Sequence, residues 1–162
     1  MRRRAALASL GAAGLAACGF ELRRTQALAF GSIALVGFGA DSPLRSALER
    51  ELRAAGIALR DNPAQAEVVF DALGDARQRT VAASTAAGQV REIQLRVRLR
   101  FRASTPAGGV LLPPADLLLT RDLSYSETAA LAKQQEEALL FRAMEDDIVA
   151  QVLRRLSAIK LT

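Results

Sequence analysis

The side chains that most often carry chemistry are scarce in this chain. It contains no histidine, which removes serine–histidine catalysis, cysteine–histidine catalysis and histidine-held metals together. A serine–lysine pair would need Lys133 or Lys160, the two lysines, and neither stands in a recognisable motif. Glu136-Glu137 and Glu145-Asp146-Asp147 could offer oxygens to a hard cation, but they lack the loop and glycine spacing of a calcium site. Adjacent carboxylates on a helix point in different directions, so these clusters read as a solvated helix face. Gly108-Gly109 has no phosphate-loop context and reads as a turn. No catalytic residue and no metal site is expected. What remains is one cysteine and a row of arginines.

The cysteine is Cys18, and its surroundings give it a role. Arg2, Arg3 and Arg4 make a positive start, and Ala5 to Ala17 follow without a charge. That run is short of the roughly 20 apolar residues of a permanent membrane span, and it suits the apolar core of a signal peptide. Leu15-Ala16-Ala17-Cys18 closes it. Small residues before the cut fit a narrow peptidase site, and the thiol is the nucleophile that takes a diacylglycerol. The arrangement resembles the lipobox of bacterial lipoproteins. It implies a signal peptide over 1–17, a lipid on Cys18 with no other cofactor, and a tether over 18–31. Gly19 rather than aspartate follows the cysteine, so no inner-membrane retention signal is present. The expected place is the outer membrane, facing the periplasm.

Removing residues 1–17 of 162 leaves 145, enough for a single cored domain over 32–162. The formal charge of +5 falls to +2 once the three leading arginines are gone, so the basic balance does not argue for nucleic acid. With Cys18 lipidated, no disulfide can form in the domain.

The arginines lie in the clearest pattern of the chain. Ile93, Leu95, Val97, Leu99 and Phe101 alternate with Gln94, Arg96, Arg98, Arg100 and Arg102. Period two over that length means a strand with one dry face and one arginine face. Guanidinium groups pair bidentately with phosphate and carboxylate, so the row can bind anionic partners. It can equally be a wet face that discourages aggregation.

The elements around it follow from the same periodicities. Ser32 to Phe38 is a compact apolar run between glycines and reads as a buried strand. Asp41-Ser42-Pro43 opens a helix whose apolar stripe is Leu44, Leu48, Leu52 and Ala55, with Gly56 as its stop. A second strand is expected near Glu67 to Ala76, then a hairpin region to Gln89, then the arginine strand. Thr105 to Gly109 turns the chain, and Asp116 to Tyr125 reads as a fourth strand. Phe141, Met144, Ile148, Val152, Leu156 and Ile159 share a face of a helix over 128–157, about 45 Å long at 1.5 Å per residue. No internal repeat or linker is seen. The order β-α-β-β-β-α predicts an α+β two-layer sandwich: a four-stranded mixed sheet with two helices on one face and the arginine face uncovered.

Two stretches carry a family resemblance. One is Cys18-Gly19-Phe20-Glu21-Leu22-Arg23. The other runs from Tyr125 through Ala130-Leu131-Ala132-Lys133-Gln134-Gln135-Glu136-Glu137 to Met144, Asp147, Gln151 and Arg154-Arg155-Leu156. Together they resemble the lipopolysaccharide-assembly lipoprotein LptE (RlpB) family from Cys18 to about Leu156. The resemblance implies the same fold and a non-enzymatic role: a plug in the large outer-membrane β-barrel LptD that helps it fold, binds lipopolysaccharide and helps deliver it to the outer leaflet. It also implies that Lys133, on the Ala-Leu-Ala-Lys stretch, contacts lipopolysaccharide. The basic residue that the family can carry between its second and third strands is missing from Ser84-Thr85-Ala86-Ala87-Gly88. Arg91, or Arg96, Arg98, Arg100 and Arg102, would substitute for it. The competing functions are a lipoprotein binding subunit of a phospholipid-transport system, which lacks the paired end motifs, and a periplasmic hydrolase, which lacks a nucleophile motif. Cys18→Ala is expected to leave the precursor uncut by lipoprotein signal peptidase, read as precursor mass on a gel. Normal cleavage of that variant would sink the lipoprotein reading.

Overall fold

The computed structural model describes residues 27–160. The residues expected to form a signal peptide, Cys18 and the expected tether through Gln26 lie outside the described residues. Among the described residues no helix is long and apolar enough to cross a membrane.

The first strand, β1, spans Ser32–Val36 and is two residues shorter than its apolar run. Gly37 ends it with φ of +79°. A Cβ there would sit 2.3 Å from the carbonyl oxygen of Ala72, so glycine alone fits the close approach. Phe38 then stacks on Phe70 with centroids 5.8 Å apart. Helix α1 spans Pro43–Ala54, as its cap and stripe predict. The Ser42 hydroxyl accepts from the Arg45 N–H at 3.0 Å. Leu44, Ala47, Leu48 and Leu52 are buried.

Next comes a strand the sequence did not announce. β2 is Ala58–Leu59, parallel to β1. It is held by Ala58 N–H to Gly31 O and Arg60 N–H to Ile33 O, both at 2.9 Å. Two residues are too few to leave a period in the sequence. The sheet therefore has five strands rather than four, in the order β2-β1-β3-β4-β5. β3 is Val68–Ser84, β4 is Val90–Ser104 and β5 is Val110–Ser124. β1 is parallel to both neighbours, whereas β3-β4-β5 form an antiparallel meander. Helix α2, Ala130–Leu156, runs back along the sheet after a 3-10 turn at Glu127–Ala129.

Two strands are longer than expected. The stretch from Ala76 toward Gln89 is mostly strand, not hairpin loop. The cause is a register shift between Ala72 and Gly74. Leu73 is the extra residue, and beyond it the odd-numbered positions Asp75, Arg77, Arg79 and Val81 lie opposite Leu99, Val97, Leu95 and Ile93. The inward face of β3 thus turns from apolar to charged, and the alternation that marks a strand disappears from the sequence. β5 likewise starts at Val110, before the expected Asp116. It tolerates Pro113 and Pro114 because it is an edge strand.

The two hairpin turns are built alike. Ser84-Thr85-Ala86-Ala87-Gly88-Gln89-Val90 and Ser104-Thr105-Pro106-Ala107-Gly108-Gly109-Val110 share one pattern, a short repeat that the sequence reading passed over. Thr85 and Thr105 donate their N–H to residues 89 and 109 at 2.8 and 2.7 Å. Their hydroxyls accept the returning N–H groups at 3.2 and 2.9 Å. Gly88 and Gly108 take the left-handed position, at φ of +78° and +89°.

Both helices pack on the face of Ile93, Leu95, Val97, Leu99 and Phe101, forming one core that also takes in Phe30 and Ile159. Phe70 lies between Phe38 and Phe101, 4.9 Å from the latter. Phe70→Ala would remove the central ring of this stack and leave a cavity, which typically costs about 3–5 kcal/mol. The expected result is a large drop in the urea midpoint at unchanged m-value.

Candidate functional site

The arginine strand is where the sequence puts it. Arg96, Arg98, Arg100 and Arg102 are exposed, on the face away from the helices. They are not equally available. Arg98 grips Asp116 through two nitrogens, with Nε 3.0 Å from Oδ1. Its hydrogen bond, more than its charge, holds the Asp116 carboxyl below the usual carboxylate range. Arg102 is paired with Asp71 at 2.8 Å. Arg96 and Arg100 have no ion pair among the described residues. Leu118, opposite Arg98, is 56 % exposed and interrupts the charge with an apolar contact.

A second charged surface lies on the helix side. Past the Leu73 bulge, β3 presents Asp75, Arg77 and Arg79 to the helices. Ser42 donates its hydroxyl to the Asp75 carboxylate. The Arg77 guanidinium lies over the Phe141 ring, 3.7 Å from its centroid, and meets Glu145 at 3.6 Å. Arg79 donates Nε–H to Glu137 at 3.1 Å, and its guanidinium stands 5.9 Å from the Tyr125 ring centroid. Between this ladder and the first turns of α2 opens a cleft of about 310 Å³, lined by Arg77, Arg79, Tyr125, Gln134, Glu137 and Ala138.

Lys133 and Arg91 come together at this end. Lys133 donates Nζ–H to the Ser124 hydroxyl at 3.3 Å and to Glu136 at 2.9 Å. Arg91 accepts the Tyr125 N–H on its carbonyl at 2.8 Å, leaving its exposed side chain without an ion pair among the described residues. Lys133 thus meets Ser124 through its side chain, and Arg91 meets Tyr125 through its backbone. The six candidate cations divide accordingly: Lys133 and Arg91 at the end where α2 begins, and the other four on the opposite face of the sheet. Arg77 and Arg79 are the residues that sequence reasoning missed. The alternating Asp75, Arg77 and Arg79 could have been read as a polar strand face, but nothing local says that this face points inward.

The acidic clusters also divide. Asp146 and Asp147 are exposed, Asp146 pairing with Arg50 at 3.1 Å. Glu145, expected on a solvated face, is only 6 % exposed. Burial pushes its pKa up; Arg77 and Arg142 oppose this, and Asp146 and Asp75 add to it. Among the described residues no group of three or more acidic, cysteine or histidine side chains is placed to hold a metal.

The raised Glu145 pKa fixes the sign of a pH effect. The folded state holds this proton more tightly than the unfolded state, so stability falls as pH rises from the ordinary glutamate range through the folded pKa. Glu145→Gln is expected to remove that fall, and its standing against the parent should improve with pH across that window. Urea midpoints at a series of pH values check it; parallel curves for the two proteins would count against it.

Comparison with known proteins bears on the family. The model of the LptE family, described as lipopolysaccharide-assembly, matches residues 28–156. No curated protein matches the chain. Among solved structures, an uncharacterized lipoprotein B from Nitrosomonas europaea is similar, with TM-score 0.71 and 27% identity, over 86% of this chain and 91% of that one. A minor lipoprotein from Acinetobacter baumannii (TM-score 0.64, 24% identity, 81% and 93% covered) shares the fold. So does the rare lipoprotein B from Shewanella oneidensis (TM-score 0.63, 20% identity, 78% and 94% covered). With the family model spanning nearly all of the described domain, this chain belongs to the LptE family of lipopolysaccharide-assembly proteins.

Proposed function

We propose that this chain is an outer-membrane lipoprotein, anchored through lipid on Cys18 after removal of residues 1–17. In this reading it faces the periplasm, plugs the lumen of the LptD β-barrel, assists that barrel's assembly and helps pass lipopolysaccharide to the outer leaflet. Membership of a lipopolysaccharide-assembly family supports the general role. The observation that carries the finer reading is the division of the candidate cations between two faces. A protein that meets a barrel wall and an anionic lipid at once needs two surfaces that do not compete. Lys133 and Arg91, at the cleft end, suit the phosphates of lipid A. The sheet face of Arg96, Arg98, Arg100 and Arg102 suits carboxylates of a barrel lumen, with Arg96 and Arg100 unspent. The rival, a subunit of a phospholipid-transport system, has no feature of the site in its favour.

Two double variants separate the surfaces. Lys133→Ala with Arg91→Ala is expected to weaken lipopolysaccharide binding by roughly tenfold or more at low salt, since contacts to charged groups are worth about 1.5–3 kcal/mol before solvent screening. Barrel recovery in a pull-down should survive. Arg96→Glu with Arg100→Glu is the better probe of the sheet face, because Arg98 is already committed to Asp116. It should lose the barrel and keep lipopolysaccharide binding. The reverse pattern would exchange the two assignments. Recovery of inner-membrane transporter parts with no barrel would favour the rival.

A further inference from the structure

The end of the domain where the chain enters the fold carries a surface with a chemistry of its own. β1 and β3 begin at this end, the β4–β5 turn lies there, and α2 finishes there. From Pro106 through Ala115 the sequence is Pro-Ala-Gly-Gly-Val-Leu-Leu-Pro-Pro-Ala, ten residues with no polar side chain. Pro106 to Val110 are exposed, as are Pro113 and Pro114, and Val110 is 75 % exposed.

The other hairpin is an internal control. Its turn has the same hydrogen bonds and the same left-handed glycine, yet it continues as Val90-Arg91-Glu92. The apolar run after Gly109 is therefore no requirement of the turn. Nor does it suit a docking strand, because Pro113 and Pro114 lack the N–H groups that would pair with one.

Cations lie at the same end of the domain. Arg154 and Arg155 in the last turn of α2 and Lys160 just past it are exposed, with no ion pair among the described residues. The Arg155 guanidinium lies 5.9 Å from the centroid of Phe101, which is paired with Ala115 at the foot of the hairpin. Basic residues at a helix C-terminus also complement its dipole, which alone would explain Arg154 and Arg155. It does not explain Lys160 or the uncharged hairpin beside them. Cys18 lies ten residues before Leu28, whose side chain packs on the core. Even fully extended, that length reaches no more than about 35 Å.

We propose that this end is a membrane-docking surface of the anchored chain before it meets a barrel. The apolar tip of the β4–β5 hairpin sits among the headgroups of an anionic bilayer, and Arg154, Arg155 and Lys160 lie on its lipid phosphates. The proposal rests on the reading that Cys18 carries the anchor. An apolar wedge with cations at the same end gains from both burial and the negative surface potential.

The test uses the mature protein reconstituted in vesicles of equal parts phosphatidylcholine and phosphatidylglycerol. Ala107→Cys and Ala87→Cys occupy equivalent positions of the two turns, and the acylated Cys18 sulfur is unreactive, so each variant takes one fluorescent label. The label at 107 should be quenched by spin-labelled lipid and shielded from iodide in the water; the label at 87 should show the opposite. Adding Arg154→Gln and Lys160→Gln should lower the docked-to-undocked ratio about thirty-fold, from about 1 kcal/mol per cation. Vesicles of phosphatidylcholine alone should likewise reduce quenching at 107. The mass of the N-terminal peptide separates the two readings. Lipid present with both labels equally aqueous overturns this surface alone. Lipid absent with no flotation overturns the anchor and the surface together. Flotation without lipid, with the label at 107 immersed when Cys18→Ser leaves it as the one labelled site, supports the surface on its own.

Discussion

Most of what distinguishes this domain depends on the extra residue at Leu73 in β3. Before it, Val68, Phe70 and Ala72 point at the helices and join the apolar core. After it, the phase of the strand is reversed, and Asp75, Arg77 and Arg79 take the inward positions. A half-buried strand facing two helices normally fills those positions with apolar side chains. Here the helices answer with polar groups instead: Ser42 at the start of α1, and Glu145 and Glu137 on α2. Without the shift, Gly74, Ala76 and Gln78 would take the inward positions and Glu145 would be buried without Arg77, which is costly for a carboxylate.

The domain is consequently graded along its length. At the end where the chain enters, the aromatic stack of Phe38, Phe70 and Phe101 is closed by Leu156 and Ile159, and cohesion comes from area removed from water. Toward the other end, α2 is held by directional contacts: Arg77 over Phe141 with Glu145, Arg79 with Glu137, and Lys133 with Ser124. Several of these are partly exposed and will weaken with salt, whereas the aromatic end will not. The cleft opens at the polar end because charged side chains that hold partners at fixed angles do not close-pack as a core does.

This grading suits a member of the lipopolysaccharide-assembly family. A charged sheet face, a cleft end with Lys133 and Arg91 and an apolar hairpin tip are three different surfaces on a small fold. The sheet face is uncovered because the helices are confined to the other side. Two of its four arginines are neutralised at home, Arg98 by Asp116 and Arg102 by Asp71. The remaining two, Arg96 and Arg100, have no ion pair among the described residues.

What the residues determine without the fold is substantial. The period-two run from Ile93 to Arg102 defines β4 and its two faces. Asp41-Ser42-Pro43 and Gly56 bracket α1 almost to the residue, and the three-to-four spacing from Phe141 to Ile159 defines α2. The end motifs, by likeness, point to the family. Each of these is a local signal, readable because its period or cap involves residues close in the chain. The tertiary structure alone decided the rest. β2 exists because Gly31 and Ile33 offer carbonyls across space, not because Ala58-Leu59 asks for a strand. β3 runs through Ser84 because β4 pairs with it past a bulge that erases its own period. Glu145 is buried while its neighbours Asp146 and Asp147 are exposed because the helix meets Arg77 at that one position. The grouping of Lys133 with Arg91, far apart in sequence, required α2 to return over the end of β5. Contacts between residues distant in the chain leave no period, so only the folded chain could reveal which cations share a face and which are already spent.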